Sequence, residues 1–132
     1  MSFNHSVSDL VTRIRNGYLV NKSVIAIPVS KLTESILTIL KEEGYILNYS
    51  RVAVEGTFER FDIHLKYHYS KAVVSEIKVV STPGKRVYCR SNEIPSVKNG
   101  LGTMFISTSQ GILTDHQARS KKLGGELLFL IF

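Results

Sequence analysis

Asp115 and His116 stand side by side, and Ser107-Thr108-Ser109 lies a few residues upstream. That text invites a Ser-His-Asp reading. The nucleophile motif Gly-x-Ser-x-Gly is absent, however: Ser107-Thr108-Ser109-Gln110-Gly111 has a serine where the first glycine belongs. His5, His64, His68 and His116 are scattered, and no His-x3-His or Cys-x-x-Cys pair occurs, so the expectation is no metal site and no catalysis. The one cysteine, Cys89, precedes Arg90, which would lower a thiol pKa, but no base stands beside it. No glycine-rich loop matches a P-loop or a dinucleotide fingerprint, so no cofactor is expected. Glu42-Glu43, at the expected end of a helix, reads as a solvated face.

Three other segments suit a nucleic acid. Pro83-Gly84-Lys85-Arg86-Val87-Tyr88 sets two cations and an aromatic ring on a tight turn. Cations hold phosphates, and an exposed ring stacks on a base or sugar. A basic hairpin with a packed tyrosine fits the same text. Ser107, Thr108 and Ser109 each donate and accept, so they can meet phosphate oxygens, 2′-hydroxyls and base edges, and Gly111 would let a backbone come close. On residue chemistry alone, a plain Ser/Thr-rich turn accounts for them at least as well. Arg119-Ser120-Lys121-Lys122, before Gly124-Gly125, is a phosphate clamp or a solvated helix end.

Charge supports the nucleic-acid class without deciding it. Seventeen Lys and Arg against eleven Asp and Glu give a net charge of +6 over 132 residues. Residues 1–66 hold eight basic and seven acidic side chains, and residues 67–132 hold nine and four, so the excess sits in the second half. Such a face attracts polyanions, although many soluble domains carry comparable charge. Apolar residues make up 43%, enough for a core, and no run is long enough to cross a membrane. Met1-Ser2-Phe3-Asn4-His5 lacks the pattern of a signal peptide. A lone cysteine suits a reducing compartment.

The elements that must carry these residues follow from apolar spacing. Val7, Leu10, Val11, Ile14 and Tyr18 make one stripe of a helix that Ser6 would cap and Asn16-Gly17 would end. Arg13 and Arg15 fall off that stripe. Val24–Ile27 reads as a strand stopped by Pro28. A helix follows over 30–43, burying Leu32, Ile36, Ile39 and Leu40, with Gly44 beyond it. Residues 45–54 and 57–66 alternate as strands joined at Glu55-Gly56. The first part, 1–66, is thus an α-β-α-β-β two-layer unit, and Tyr67-His68-Tyr69-Ser70-Lys71 is a polar break. The second, 67–132, is strand-rich. It has a strand over 76–80, a turn at Pro83-Gly84 and a return over 86–90. Residues 92–102 are irregular, and a strand at 103–108 follows. A short helix over 114–122 is capped by Thr114 or Asp115, and the apolar run Leu127–Phe132 reads as a strand buried on both faces. The fold class expected is α+β in two small domains.

At this level of detail the text resembles a known family, the S-eight family of small-subunit ribosomal proteins. The resemblance rests on residues 102–115, Gly-Thr-Met-Phe-Ile-Ser-Thr-Ser-Gln-Gly-Ile-Leu-Thr-Asp, with Ala118-Arg119 and Gly124-Gly125-Glu126. Residues 9–17, 41–46 and 81–88 fit as well, so it covers nearly the whole chain in order. It implies a two-domain, non-enzymatic protein that binds the central domain of small-subunit ribosomal RNA, supports assembly and touches neighbouring ribosomal proteins. It further implies a monomer within the ribosome, cytoplasmic or organellar, and repression of its own messenger RNA as an added role. Ser107, Thr108, Ser109 and Gly111 would be the main RNA-reading element, with Tyr88 and Glu126 on the same surface. Lys85, Arg86, Arg119, Lys121 and Lys122 would flank it, and Thr12, Arg13, Arg15 and Asn16 would face RNA from the other domain. Two positions depart from the family pattern: His5-Ser6 replaces Asp-Pro, and Gln110 stands where a lysine is common. The same surface would serve a free RNA-binding regulator, which would sediment apart from ribosomes.

Overall fold

The computed structural model describes residues 3–53, 56 and 59–132, without the side chains of residues 3–5. The fold is α+β and forms two compact units. One is Thr12–Val74. The other is Ser75–Phe132 together with the chain's start as far as Val11.

Helix α1 spans Phe3–Leu19 and buries the expected stripe, Val7, Leu10, Val11, Ile14 and Tyr18. It begins before Ser6, which lies inside it, because cap preference at a serine does not forbid helix upstream. It also runs through Asn16-Gly17. A Cβ at Gly17 would fall 2.7 Å from Ile25 Cγ2 and 2.9 Å from Leu65 Cδ1, so this glycine admits the sheet against the helix and does not end it. The stop comes at Asn21, left-handed at φ +56, where Asn21 N–H bonds to Tyr18 O and Lys22 N–H to Gly17 O, the Schellman closure.

In the Thr12–Val74 unit, strands β1 (Val24–Pro28), β2 (Ile46–Ala53) and β3 (Glu59–Leu65) form an antiparallel sheet in the order β1-β3-β2. Phe61, Ile63 and Leu65 of β3 alternate inward as the sequence predicts. The expected turn at Glu55-Gly56 falls partly outside the described residues. Helix α2 (Lys31–Glu42) is capped by Ser30 and buries Thr33, Ile36, Leu37, Ile39 and Leu40, whereas Leu32 is only half-buried. The break after β3 is itself a small ribbon, β4 (Tyr67–His68) against β5 (Lys71–Ala72).

The second unit is a sheet built around its last strand, β10 (Gly125–Ile131). On one side β10 pairs with β8 (Thr103–Thr108), which forms a hairpin with β9 (Gly111–Thr114). On the other side lie β6 (Ile77–Val79) and β7 (Tyr88–Cys89). The chain does not return along β6 after Pro83-Gly84, as the turn text suggests. Both strands run antiparallel to β10, β6 along Phe129–Ile131 and β7 along Gly125–Glu126. Helix α3 (Asp115–Lys121) is capped by Thr114 in a full capping box with Gln117.

Tyr18 ties the first unit together. Its phenol donates to Tyr45 O and accepts from Lys66 N–H at 3.1 Å, while Tyr67, edge-on to it at 5.5 Å, donates to Lys22 O. Burial pushes the Tyr18 pKa up, opposed by the Lys66 amide and reinforced by Tyr67. Tyr18→Phe removes the hydroxyl from the half-buried Tyr45 carbonyl and Lys66 amide and is expected to cost ~1–3 kcal/mol, measured by urea unfolding. A folded pKa raised above the unfolded value gives stability that is complete below about pH 10 and is lost as pH rises through the folded pKa. The phenylalanine variant should lose less stability than the parent over that alkaline window.

Candidate nucleic-acid interface

The proposed RNA-reading residues of the second half meet through strand register. Tyr88 pairs with Glu126, Glu126 with Ser107 and Ser107 with Ile112, across β7, β10, β8 and β9. Partners in register share one face of a sheet, so the tyrosine, the carboxylate and the serine stand in one lateral row. The Tyr88 ring is 66% exposed, Ser107 is half-buried and Glu126 is buried. An exposed ring beside a sunken polar floor offers a stacking surface with hydrogen-bonding groups at its edge.

Gly124 and Gly125 make the row sterically possible. A Cβ on Gly124 would lie 2.5 Å from Cys89 O, and one on Gly125 would lie 2.0 Å from Ser107 O. The start of β10 therefore threads between β7 and β8 only without side chains.

Glu126 is turned inward. Its Oε2 accepts from the Ser81 hydroxyl, whose oxygen in turn accepts from Val87 N–H at 3.2 Å. Arg86 Nη1 is 3.5 Å away. Glu126 thus fixes the path of residues 81–87 and so the placement of Tyr88, while Arg86 is partly engaged and Lys85 stands exposed. The Ser81 bond has no obvious mark in the sequence, since neither residue belongs to a motif that pairs them.

The Ser-Thr-Ser segment divides its work. Thr108 Oγ1 donates to Gly111 O at 2.8 Å and accepts from Gln110 N–H at 3.2 Å, so it holds the β8–β9 turn. The hydroxyls of Ser107 and Ser109 and the Gln110 amide group make no hydrogen bond among the described residues, and Ser109 and Gln110 are exposed at the tip. Gly111 has φ +103, and nothing lies within 4 Å of where its Cβ would be. The turn conformation, and no close protein contact, is what requires glycine there.

The flanking cations separate as well. Lys121 and Lys122 are exposed at the end of α3. Arg119 is held inward: its Nη2 bonds to Asp115 Oδ2 and Pro95 O, both at 2.9 Å, and to Ser96 Oγ at 3.3 Å. Asp115 Oδ1 accepts from Met104 N–H, so this buried carboxylate organises the protein and is not aimed at His116 or a serine. Burial pushes the Cys89 thiol up, opposed by the Gly125 amide and reinforced by Glu93, so the lowering that Arg90 could supply is not seen.

On the other unit, Thr12, Arg13, Arg15 and Asn16 lie on the exposed face of α1. Arg13 Nη1 donates to Ala26 O at 2.8 Å, which turns that side chain toward β1. Arg13 and Asn16 line a groove of about 560 Å³ with Lys22 and Ala26. No group of three or more potential metal ligands occurs among the described residues, and no described helix is long and apolar enough to cross a membrane.

The sequence model of ribosomal protein S8 matches residues 5–132. The chain belongs to the ribosomal protein S8 family. Among its relatives are proteins named small ribosomal subunit protein uS8 from Neisseria meningitidis serogroup C, 48% identical over 99% of both chains, and from Nitrobacter hamburgensis, 44% identical over the full length of both. One from Paracoccus denitrificans is 43% identical, again over the full length. The family is one of ribosomal proteins, parts of a ribonucleoprotein that translates, and not of enzymes.

Gly125→Ala brings a methyl group against backbone, which has no flexible end to move aside. The expected loss is ~1–3 kcal/mol or more in unfolding free energy. Amide exchange should quicken first in residues 87–89 and 105–108, measured by mass spectrometry.

Proposed function

We propose that this chain is a structural constituent of the small ribosomal subunit that binds the central domain of small-subunit ribosomal RNA through the β7–β10–β8 row and the β8–β9 turn. The single observation that carries this is the register that lines up Tyr88, Glu126 and Ser107, with the free hydroxyl of Ser109 beyond them. Family membership and the names of the relatives support the particle. Ser107, Ser109 and the Tyr88 ring make the contact. Thr108, Gly111, Glu126 and Arg119 position it, and Lys85, Arg86, Lys121 and Lys122 hold phosphates. Thr12, Arg15 and Asn16, with Arg13 at the groove, form a second RNA-facing surface on the other unit. The protein acts as a monomer among neighbouring ribosomal proteins, supports assembly and represses its own messenger through an RNA that presents the same features. It works on the ribosome, cytoplasmic or organellar.

Binding of a central-domain RNA fragment tests this reading. Ser107→Ala and Ser109→Ala should each weaken it by ~1–3 kcal/mol while the protein stays folded. Tyr88→Ala should lose about 1–3 kcal/mol and Tyr88→Phe distinctly less, because the ring does the stacking. Full affinity in folded serine and alanine variants would remove this surface from the reading.

Gln110 offers a separate check, since it sits exposed at the tip of the turn. Gln110→Lys should steepen the log–log salt dependence by roughly 0.7–0.9 and leave discrimination between cognate and unrelated RNA nearly unchanged. Lost discrimination would show instead that the glutamine amide reads a base edge.

A further inference from the structure

We propose that the β4–β5 hairpin tip is an additional RNA contact, in which the Tyr69 ring stacks on an unpaired nucleotide and Lys71 holds its phosphate. The ribbon pairs Tyr67 with Ala72 and His68 with Lys71, leaving Tyr69-Ser70 as a two-residue loop. Both loop residues have positive φ, +50 at Tyr69 and +64 at Ser70, the signature of a type I′ turn. That turn favours Asn-Gly. A bulky aromatic followed by serine is strained there, and strain of this kind is kept where a side chain must be presented.

What is presented is a largely exposed ring. Tyr69 is 89% exposed, the highest exposure among the large hydrophobic residues described. The His68 ring packs against it in a T-shaped contact, 4.3 Å between centroids and 66° between planes, which limits its swing while Tyr69 stays largely exposed. His68 and Lys71 are exposed beside it, and the segment from Tyr67 to Ala72 holds no acidic residue. An aromatic face beside a lysine, on a hairpin free of carboxylates, suits a base with its phosphate better than an apolar protein surface. The inference rests on the reading of the chain as an RNA-binding protein only for this choice of RNA over protein. The tip belongs to the Thr12–Val74 unit, whereas the β7–β10–β8 row belongs to the other.

The test uses the full chain and a single-stranded hexanucleotide carrying 5-iodouridine, which photocrosslinks to stacked aromatic rings. Peptide mapping should find crosslinks at Tyr69 as well as at Tyr88. In a Tyr88→Ala background, Tyr69→Ala should weaken hexanucleotide binding about five- to 150-fold and Tyr69→Phe much less. Lys71→Ala should lower the salt slope by about 0.7. The double change Tyr69→Asn with Ser70→Gly separates presentation from structure: relief of strain should raise Tm by about 2–8 °C while binding falls. Crosslinks confined to Tyr88, or unchanged affinity in folded Tyr69→Ala, would overturn the proposal. So would a lowered Tm in the double variant, or a defect limited to binding other ribosomal proteins. Because the serine and Tyr88 variants are scored on the central-domain fragment, the main reading stands or falls separately from this one.

Discussion

Position 125 has no room for a side chain. The Ser107 carbonyl lies 2.0 Å from where a Cβ would sit, and one residue earlier the Cys89 carbonyl closes in at 2.5 Å. Because of that double approach, β10 enters the sheet between two neighbours from its first residue. Its apolar length, Leu127, Leu128, Phe129 and Ile131, is then buried as a central strand, with Phe129 stacked on Phe105 at 4.3 Å. The same approach puts Glu126 in register with Tyr88 on one side and Ser107 on the other, so packing at the strand's start builds the surface proposed to read RNA.

In the second half of the chain, half of the acidic side chains are withdrawn from the surface. Residues 67–132 contain four acidic side chains, and two of them, Asp115 and Glu126, are buried and committed to internal partners. Glu126 anchors Ser81 and draws Arg86 toward itself. Asp115 holds the start of β8 and, through Arg119, the loop at Pro95-Ser96. These buried acids shape the loops, while Lys85, Lys121 and Lys122 remain exposed.

Apolar spacing made the long elements legible: the stripe of α1, most of the buried face of α2, the alternation in β3 and the buried run of β10. Shorter or long-range features were not. Gly17 looks like a helix stop because its partners, Ile25 and Leu65, are distant in sequence. Strand β9 has four residues and follows a turn that gave no second strand signal. Pro83-Gly84 fits a hairpin equally well as the excursion that it is, because both need a tight turn, and only β10 decides between them. In the site, residue types pointed to the Ser-Thr-Ser segment as a whole. The inward bonds of Thr108 and Arg119 depend on atoms that meet only in the fold.

Amide hydrogen exchange of the full chain, with and without a central-domain fragment of small-subunit ribosomal RNA, tests the central claim most directly. Residues 86–89 include β7, and residues 107–111 include the end of β8 and its turn; the two strands are separated in sequence, and each pairs with β10. The account predicts that RNA slows exchange in both segments together, with the largest change at the Ser109-Gln110 tip. Protection confined to other segments, with both of these exchanging as fast as in the free protein, would contradict it.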